Sequence, residues 1–198
     1  MKIFSGSDES RDKTAEFTSR FEGAGGKVHA ASDADEAVRI INKIIGENAK
    51  GKTCCAPILL PEGGAERRDV SPLIQTDLPF QGSNEKLLGE VDVGVTRADY
   101  AVAETGCVVE LAYDDALRLV SSLSRIHIVV VEEATIMPTL QDLGQRIREL
   151  LTGKAAKPTI TLIGGPSRTS DIELKSVLGV HGPKEVHAVL VGEEGGSD

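Results

Sequence analysis

Apolar positions recur at helical spacing in two segments of the chain and run almost unbroken in several others. Ala37, Val38, Ile41, Ile44 and Ile45 fall on one helical face. Ser32-x-x-Asp35 and Asp33-x-x-Glu36 precede them in capping-box spacing, so a core-facing helix is expected over 34–48. A second stripe, Ile136, Leu140, Leu143, Ile147 and Leu150, predicts a helix near 136–151. Around it lie the strand-like runs "RIHIVVVEE", "TITLIGG" and "EVHAVLVG", with a short helix expected near 170–178. The order is β-α-β-α-β, and strands joined by crossover helices are parallel and covered on both faces. The three strands, near 126–131, 159–163 and 186–191, are therefore expected in one parallel sheet. The fold class that follows is α/β, an open, mostly parallel sheet flanked by helices.

The remaining pattern is weaker. Glu9–Glu22 reads as a polar helix closed by Gly-Ala-Gly-Gly, which makes 1–26 a helical N-terminal extension, and Lys27–Ala30 reads as a short extended piece. Residues 53–60 resemble a buried strand. The stretch 61–90 reads as loop, short strand and a short helix at 83–89, and the tail 193–198 is expected to be flexible. With 198 residues and no internal repeat, the whole chain is expected to form a single domain.

Composition narrows the partners. A net charge of -9 opposes a phosphate backbone, and 3% aromatic residues with no Trp leave few platforms for stacking bases, so nucleic acid is not an expected partner. No window approaches eighteen uninterrupted apolar residues, and the start turns polar at once. The expectation is a cytoplasmic chain with no membrane span. The three cysteines, Cys54, Cys55 and Cys107, show no C-x-x-C spacing, and the four histidines are scattered. An iron–sulfur cubane needs four thiolates, so no cofactor and no metal site is expected in this chain.

Two stretches carry candidate chemistry. In "IGGPSRTSDIE", a strand end meets two glycines, Arg168 and a Ser170-x-x-Glu173 capping box ahead of the expected helix. Free N–H groups at a helix start, with an arginine beside them, present positive potential to a carboxylate or phosphate. A well-built structural turn would need the same residues, so both readings stand. The second stretch is "VGVTRADYAVAETGCVVEL", in which Glu104 is the only charge from Tyr100 to Val109. A carboxylate in such a run is expected to be partly buried, as an acid or base of perturbed strength or as an acceptor of backbone N–H bonds. Asp99 reads as a solvated turn residue or a helix cap.

Together these stretches resemble the LUD (lactate utilization) domain family, specifically its LutC-like members. The likeness is dense from Val91 to Gly192 and agrees more in order and length than in motif before that. It places the family's Ala-Glu-Thr-Gly on Ala103, Glu104, Thr105 and Gly106. The Gly-Pro-Ser-x-Thr-x-Asp-Ile-Glu motif falls on Gly165, Pro166, Ser167, Thr169, Asp171, Ile172 and Glu173, and Gly-x-His-Gly-Pro on Gly179, His181, Gly182 and Pro183. Where the family usually continues with Thr, this chain has Cys107. The resemblance implies a NagB/RpiA/CoA-transferase-like fold and a part in oxidation of lactate to pyruvate beside iron–sulfur subunits. On it, Glu104 is the candidate catalytic residue. Thr105, Gly106, Gly164, Gly165, Ser167, Arg168, Thr169, Asp171 and His181 are candidates for holding a small carboxylate or phosphate-bearing ligand, with the Glu104 and Gly164–Ser170 stretches facing one cleft. Three functions fit: an accessory subunit of a lactate-oxidising complex, an enzyme of the CoA-transferase or sugar-phosphate isomerase type using Glu104, and a carboxylate sensor.

Overall fold

A computed structural model of the chain describes residues 6–61, 66–78, 91–170, 176–178 and 182–192. In chain order the elements are α1 (Gly6–Gly23), β1 (Lys27–Ala31), α2 (Ala34–Asn48), β2 (Lys52–Cys55), β3 (Leu59–Pro61), β4 (Arg67–Asp69), β5 (Val91–Arg97), β6 (Tyr100–Val102) and β7 (Cys107–Ala112). They continue with α3 (Asp115–Leu123), β8 (Ile126–Glu132), β9 (Ile136–Met137), α4 (Leu140–Leu151), β10 (Thr159–Ile163), β11 (Arg168–Ser170), β12 (Ser176–Leu178) and β13 (Glu185–Val191).

The central sheet has the order β1-β13-β8-β5-β2, and every neighbouring pair in it is parallel. Its inner strands β13, β8 and β5 are largely apolar because both faces are covered, whereas the edge strand β1 stays partly exposed. Along β8, Ile126, Ile128 and Val130 join the cluster beneath α2, whereas Val129 and Val131 join a cluster on the opposite face with Phe17 and Phe21 of α1. Period-two alternation thus feeds two cores from one strand. On one face α2 seats Ala37, Val38, Ile41, Ile44 and Ile45, all buried. Its start is fixed by Asp33, which accepts from Glu36 N at 2.7 Å, while the Glu36 carboxylate accepts from Ser32 N at 2.7 Å.

An outer sheet, β10-β7-β6-β9, covers part of the other face together with α1 and α3. Here three expectations change. The run "TITLI" is β10, but it pairs antiparallel with β7 in the outer sheet and leaves Ile160 and Leu162 exposed, so it is not a parallel member of the central sheet. It lies at the edge of the outer sheet with none of its residues buried, unlike the continuous buried run of β8. The helix expected from 136 starts at Leu140. Pro138 disfavours helix in the residue before it, Ile136–Met137 pair with β6 instead, and Thr139 and Asp142 close a capping box. In place of a helix near 170–178, Arg168–Ser170 and Ser176–Leu178 pair as antiparallel strands.

Residues 53–60, expected as one strand, divide between β2 and β3 around Ala56, Pro57 and Ile58. Proline cannot continue a sheet ladder. The expectations of a helix at 83–89 and of a flexible tail at 193–198 lie outside the described residues. The N-terminal helix is no mere extension: Phe17 and Phe21 are fully buried and stack at 5.5 Å between ring centroids.

Candidate functional site

The two motif stretches meet at the end of α1. That helix closes in a Schellman arrangement, with Gly26 N–H donating to the Phe21 carbonyl at 3.0 Å and Gly25 N–H to that of Glu22 at 2.8 Å. Gly25 takes φ +91, where side chains are strained, and the guanidinium of Arg168 lies over it so closely that a Cβ there would come within 2.1 Å of Nη2. Residues 103–106 form the four-residue loop between β6 and β7, in register Val102↔Cys107. Gly106, at φ +67, packs against the backbone of α1, where a Cβ would stand 2.6 Å from Phe21 N.

The turn after β10 lies alongside. Gly164 faces Cys107, whose Sγ would be 3.3 Å from an added Cβ, and Gly165 faces the Ala24 carbonyl at 3.2 Å by the same construction. Ser167 N–H donates to the Pro183 carbonyl at 2.8 Å, and the Ser167 side chain sits beside Gly182. Thr105 Oγ1 accepts from Cys107 N at 3.3 Å. Stretches some sixty residues apart are thereby fastened to one helix end, next to a groove of about 570 Å³ lined by Glu16, Ser19, Arg20 and Gly23.

Other features of the sequence reading are corrected. Glu104 is exposed, so the burial expected of it is absent. Its backbone N–H donates to the Pro138 carbonyl at 3.1 Å, which holds the loop and leaves the carboxylate facing solvent. Because Arg168–Ser170 is a strand, the described part of the turn offers no helix N-terminus, and the positive potential expected from one is absent there. Arg168 is exposed, and Arg20, over half exposed, pairs only loosely with Glu16 at 3.7 Å. Thr169 lies in β11, while Asp171 and His181 fall outside the described residues. Asp99 is neither a solvated turn residue nor a cap. It is half-buried and accepts from Leu111 N at 2.7 Å, and burial pushes its carboxyl up.

The buried carboxylate of this region is Glu110, six residues after Glu104. It is fully buried on β7 and points at the central sheet, where Thr96 Oγ1 donates to Glu110 Oε1 at 2.5 Å and lies 2.7 Å from His127 Nε2. With His127 neutral and protonated at Nε2, the chain His127 to Thr96 to Glu110 satisfies each donor in turn. Burial pushes Glu110 up to about 7, against the opposing Thr96 bond, and pushes His127 down to about 3. Glu110 Oε2 and His127 Nδ1 have no hydrogen-bond partner among the described residues. The sequence signal was available, since a charge in "CVVELA" and a His in "IHIVVV" obey the same rule that drew notice to Glu104.

A family model described as LUD domain matches residues 14–191. The chain belongs to the LUD domain family. This LUD domain is 30% identical over 151 residues to Lactate utilization protein C of Bacillus subtilis (strain 168), covering 69% of this chain and 63% of that protein. Lactate utilization protein C of Macrococcus caseolyticus (strain JCSC5402) is 36% identical over 112 residues, 56% of this chain and 48% of that one. The chain thus spans about half to just under two thirds of these curated relatives. The crystal structure of a DUF162 family protein from Deinococcus radiodurans superposes with a TM-score of 0.63 at 21% identity, covering 92% of this chain and 98% of that one, which shows a shared fold. Among the described residues no helix is long and apolar enough to cross a membrane.

Proposed function

We propose that this LUD domain is a LutC-like subunit in the oxidation of lactate to pyruvate, holding a small carboxylate at the paired motif turns while iron–sulfur partner proteins carry the electrons. The convergence of the Glu104–Gly106 loop and the Gly164–Arg168 turn on one helix end carries this reading. Arg168 and Arg20 are the anion anchors, since a guanidinium fork matches a carboxylate. Glu104, exposed on the loop, is the proton acceptor. Thr105 and Ser167 supply hydroxyls. Gly106, Gly164 and Gly165 let the backbones close up, and Thr169, Asp171 and His181 complete the assignment. The names of the curated relatives, Lactate utilization protein C, support a role in lactate utilization.

On this reading the chain itself holds no redox cluster. Cys54 and Cys55 are buried, and burial pushes the Cys54 thiol up and that of Cys55 up to about 12, which opposes the thiolates that iron needs. Anaerobic reconstitution should load no stoichiometric iron and sulfide, and stoichiometric loading would contradict the non-redox role. The function is tested by complementing lactate growth in a host lacking its own LUD-family gene. Glu104→Gln and Arg168→Ala should fold normally and fail to restore growth, and normal growth of both would reject the site. The exposure of Glu104 also admits a transferase reading in which its carboxylate attacks the thioester carbonyl of an acyl-CoA, breaking the C–S bond to give a glutamyl anhydride and release CoA thiolate, and a covalent adduct at Glu104 would select that alternative.

A further inference from the structure

At the carboxyl edge of the central sheet, far along β7 from the motif turns, β2 and β5 lie side by side and their onward connections leave on opposite faces. After β2 the chain turns to the α2 face, where Ile58, Leu60, Val70 and Ile74 join the same cluster as Ile41. After β5 it turns to the other face, where Ala98 and Ala101 join Phe17 and Phe21. Adjacent parallel strands whose connections part in this way open a crevice outside their carboxyl ends, the place where open α/β sheets take ligands. A cavity of about 260 Å³ occupies that position, walled by Pro57 after β2 and by Arg97 and Asp99 at and just beyond the end of β5.

We propose that this crevice is a second binding site, for a small neutral polyhydroxylated molecule of sugar size. Its charges argue against an anion. Buried Glu132 takes both Arg67 and Arg97 on the same oxygen, so these three groups keep only one net positive charge, fewer than the two carboxylates beside them. The carboxylates of Asp99 and Asp114 also line it, and an incoming anion would meet both. Hydroxyls both donate and accept, which suits a wall of carboxylates and a guanidinium. Asp99 uses one oxygen on Leu111 N at 2.7 Å, and Asp114 Oδ1 caps α3 through Ala116 N at 2.9 Å. A carboxylate offers about four acceptor positions, so each keeps capacity for ligand hydroxyls. Tyr113, 57% exposed at the rim, offers a ring face to the C–H side of such a molecule, and Leu111 and Leu117 supply apolar wall.

The test is a nuclear magnetic resonance titration of the isotope-labelled full chain with D-ribose. Saturable shifts should be confined to the amides of Arg97, Asp99, Leu111, Tyr113 and their neighbours. Tyr113→Ala, which alters an exposed side chain and should leave the rest of the spectrum unchanged, should weaken binding about fivefold or more. Asp114→Asn keeps a helix cap while removing the charge, and should weaken binding as well. Shifts that grow without saturating, or that saturate alike in the wild type and both variants, would overturn the proposal. So would L-lactate in place of ribose shifting these amides, an outcome that leaves the motif-turn reading to its own growth test.

Discussion

Glu110 is the residue whose chemistry departs furthest from its ordinary behaviour among the carboxylates of the second motif stretch. Its carboxyl is raised from 4.5 to about 7, so below pH 4.5 the folded and unfolded chains are both protonated and nothing is lost. Between 4.5 and 7 the unfolded chain ionises first, and the fold gives up as much as ~3 kcal/mol as pH rises, with the loss complete above 7. His127 acts in the opposite sense, since its folded value near 3 means that stability rises with pH from about 3 to 6.5. Glu110→Gln isolates the first effect, because it keeps an acceptor for Thr96 and removes the titration. Its melting temperature relative to wild type should climb from pH 4.5 to 7 and then level off, as read by thermal denaturation across that range. A flat difference would mean that Glu110 titrates normally. Gly106→Ala should cost about 2–4 kcal/mol in chemical denaturation, because it combines a left-handed backbone with a collision against α1 main chain that cannot yield. At this scale the sequence was legible in kind and not in address. Burial of a charge within an apolar run was the right principle, but strand alternation and the hairpin loop put Glu104 in solvent and Glu110 inside.

Among elements, α2, β8 and β13 were readable because their apolar spacing is unambiguous and their caps are local. The departures have a common cause: partners distant in sequence decided them. "TITLI" has the composition of a strand, but its assignment to the outer sheet depends on β7, nearly fifty residues earlier. The capping-box spacing at Ser170 was overridden by pairing between β11 and β12. The helix α1, polar and weakly periodic, appeared peripheral, yet its two phenylalanines fill the core between the sheets. Phe21→Ala should therefore destabilise the whole domain by about 3–5 kcal/mol in denaturant unfolding. A cost near zero would show that α1 docks without contributing to the fold. The same helix carries the Schellman end on which both motif turns rest, so loss of α1 should also abolish carboxylate binding.

At the scale of the molecule, one parallel sheet with an outer antiparallel layer presents two regions at opposite ends of β7: the motif turns near Cys107 and the crevice near Leu111 and Tyr113. The net charge of -9 makes a site for a carboxylate depend on local guanidinium groups; Arg20 and Arg168 supply them at the first region, whereas Arg97 at the second is paired with Glu132 and stands beside two further carboxylates. Gly106 of the first motif and Gly165 and Arg168 of the second pack on the end of α1, whereas Glu104 is held by Pro138, and among the described residues no helix starts at the second motif. The most direct test of the central claim is calorimetric titration of L-lactate into the wild-type chain and into Arg168→Ala. A charge-assisted hydrogen bond contributes ~1.5–3 kcal/mol, so the substitution should weaken binding by about ten- to a hundredfold with the fold intact. Equal affinity in the two proteins, or no saturable heat with either, would contradict a carboxylate site at the motif turns.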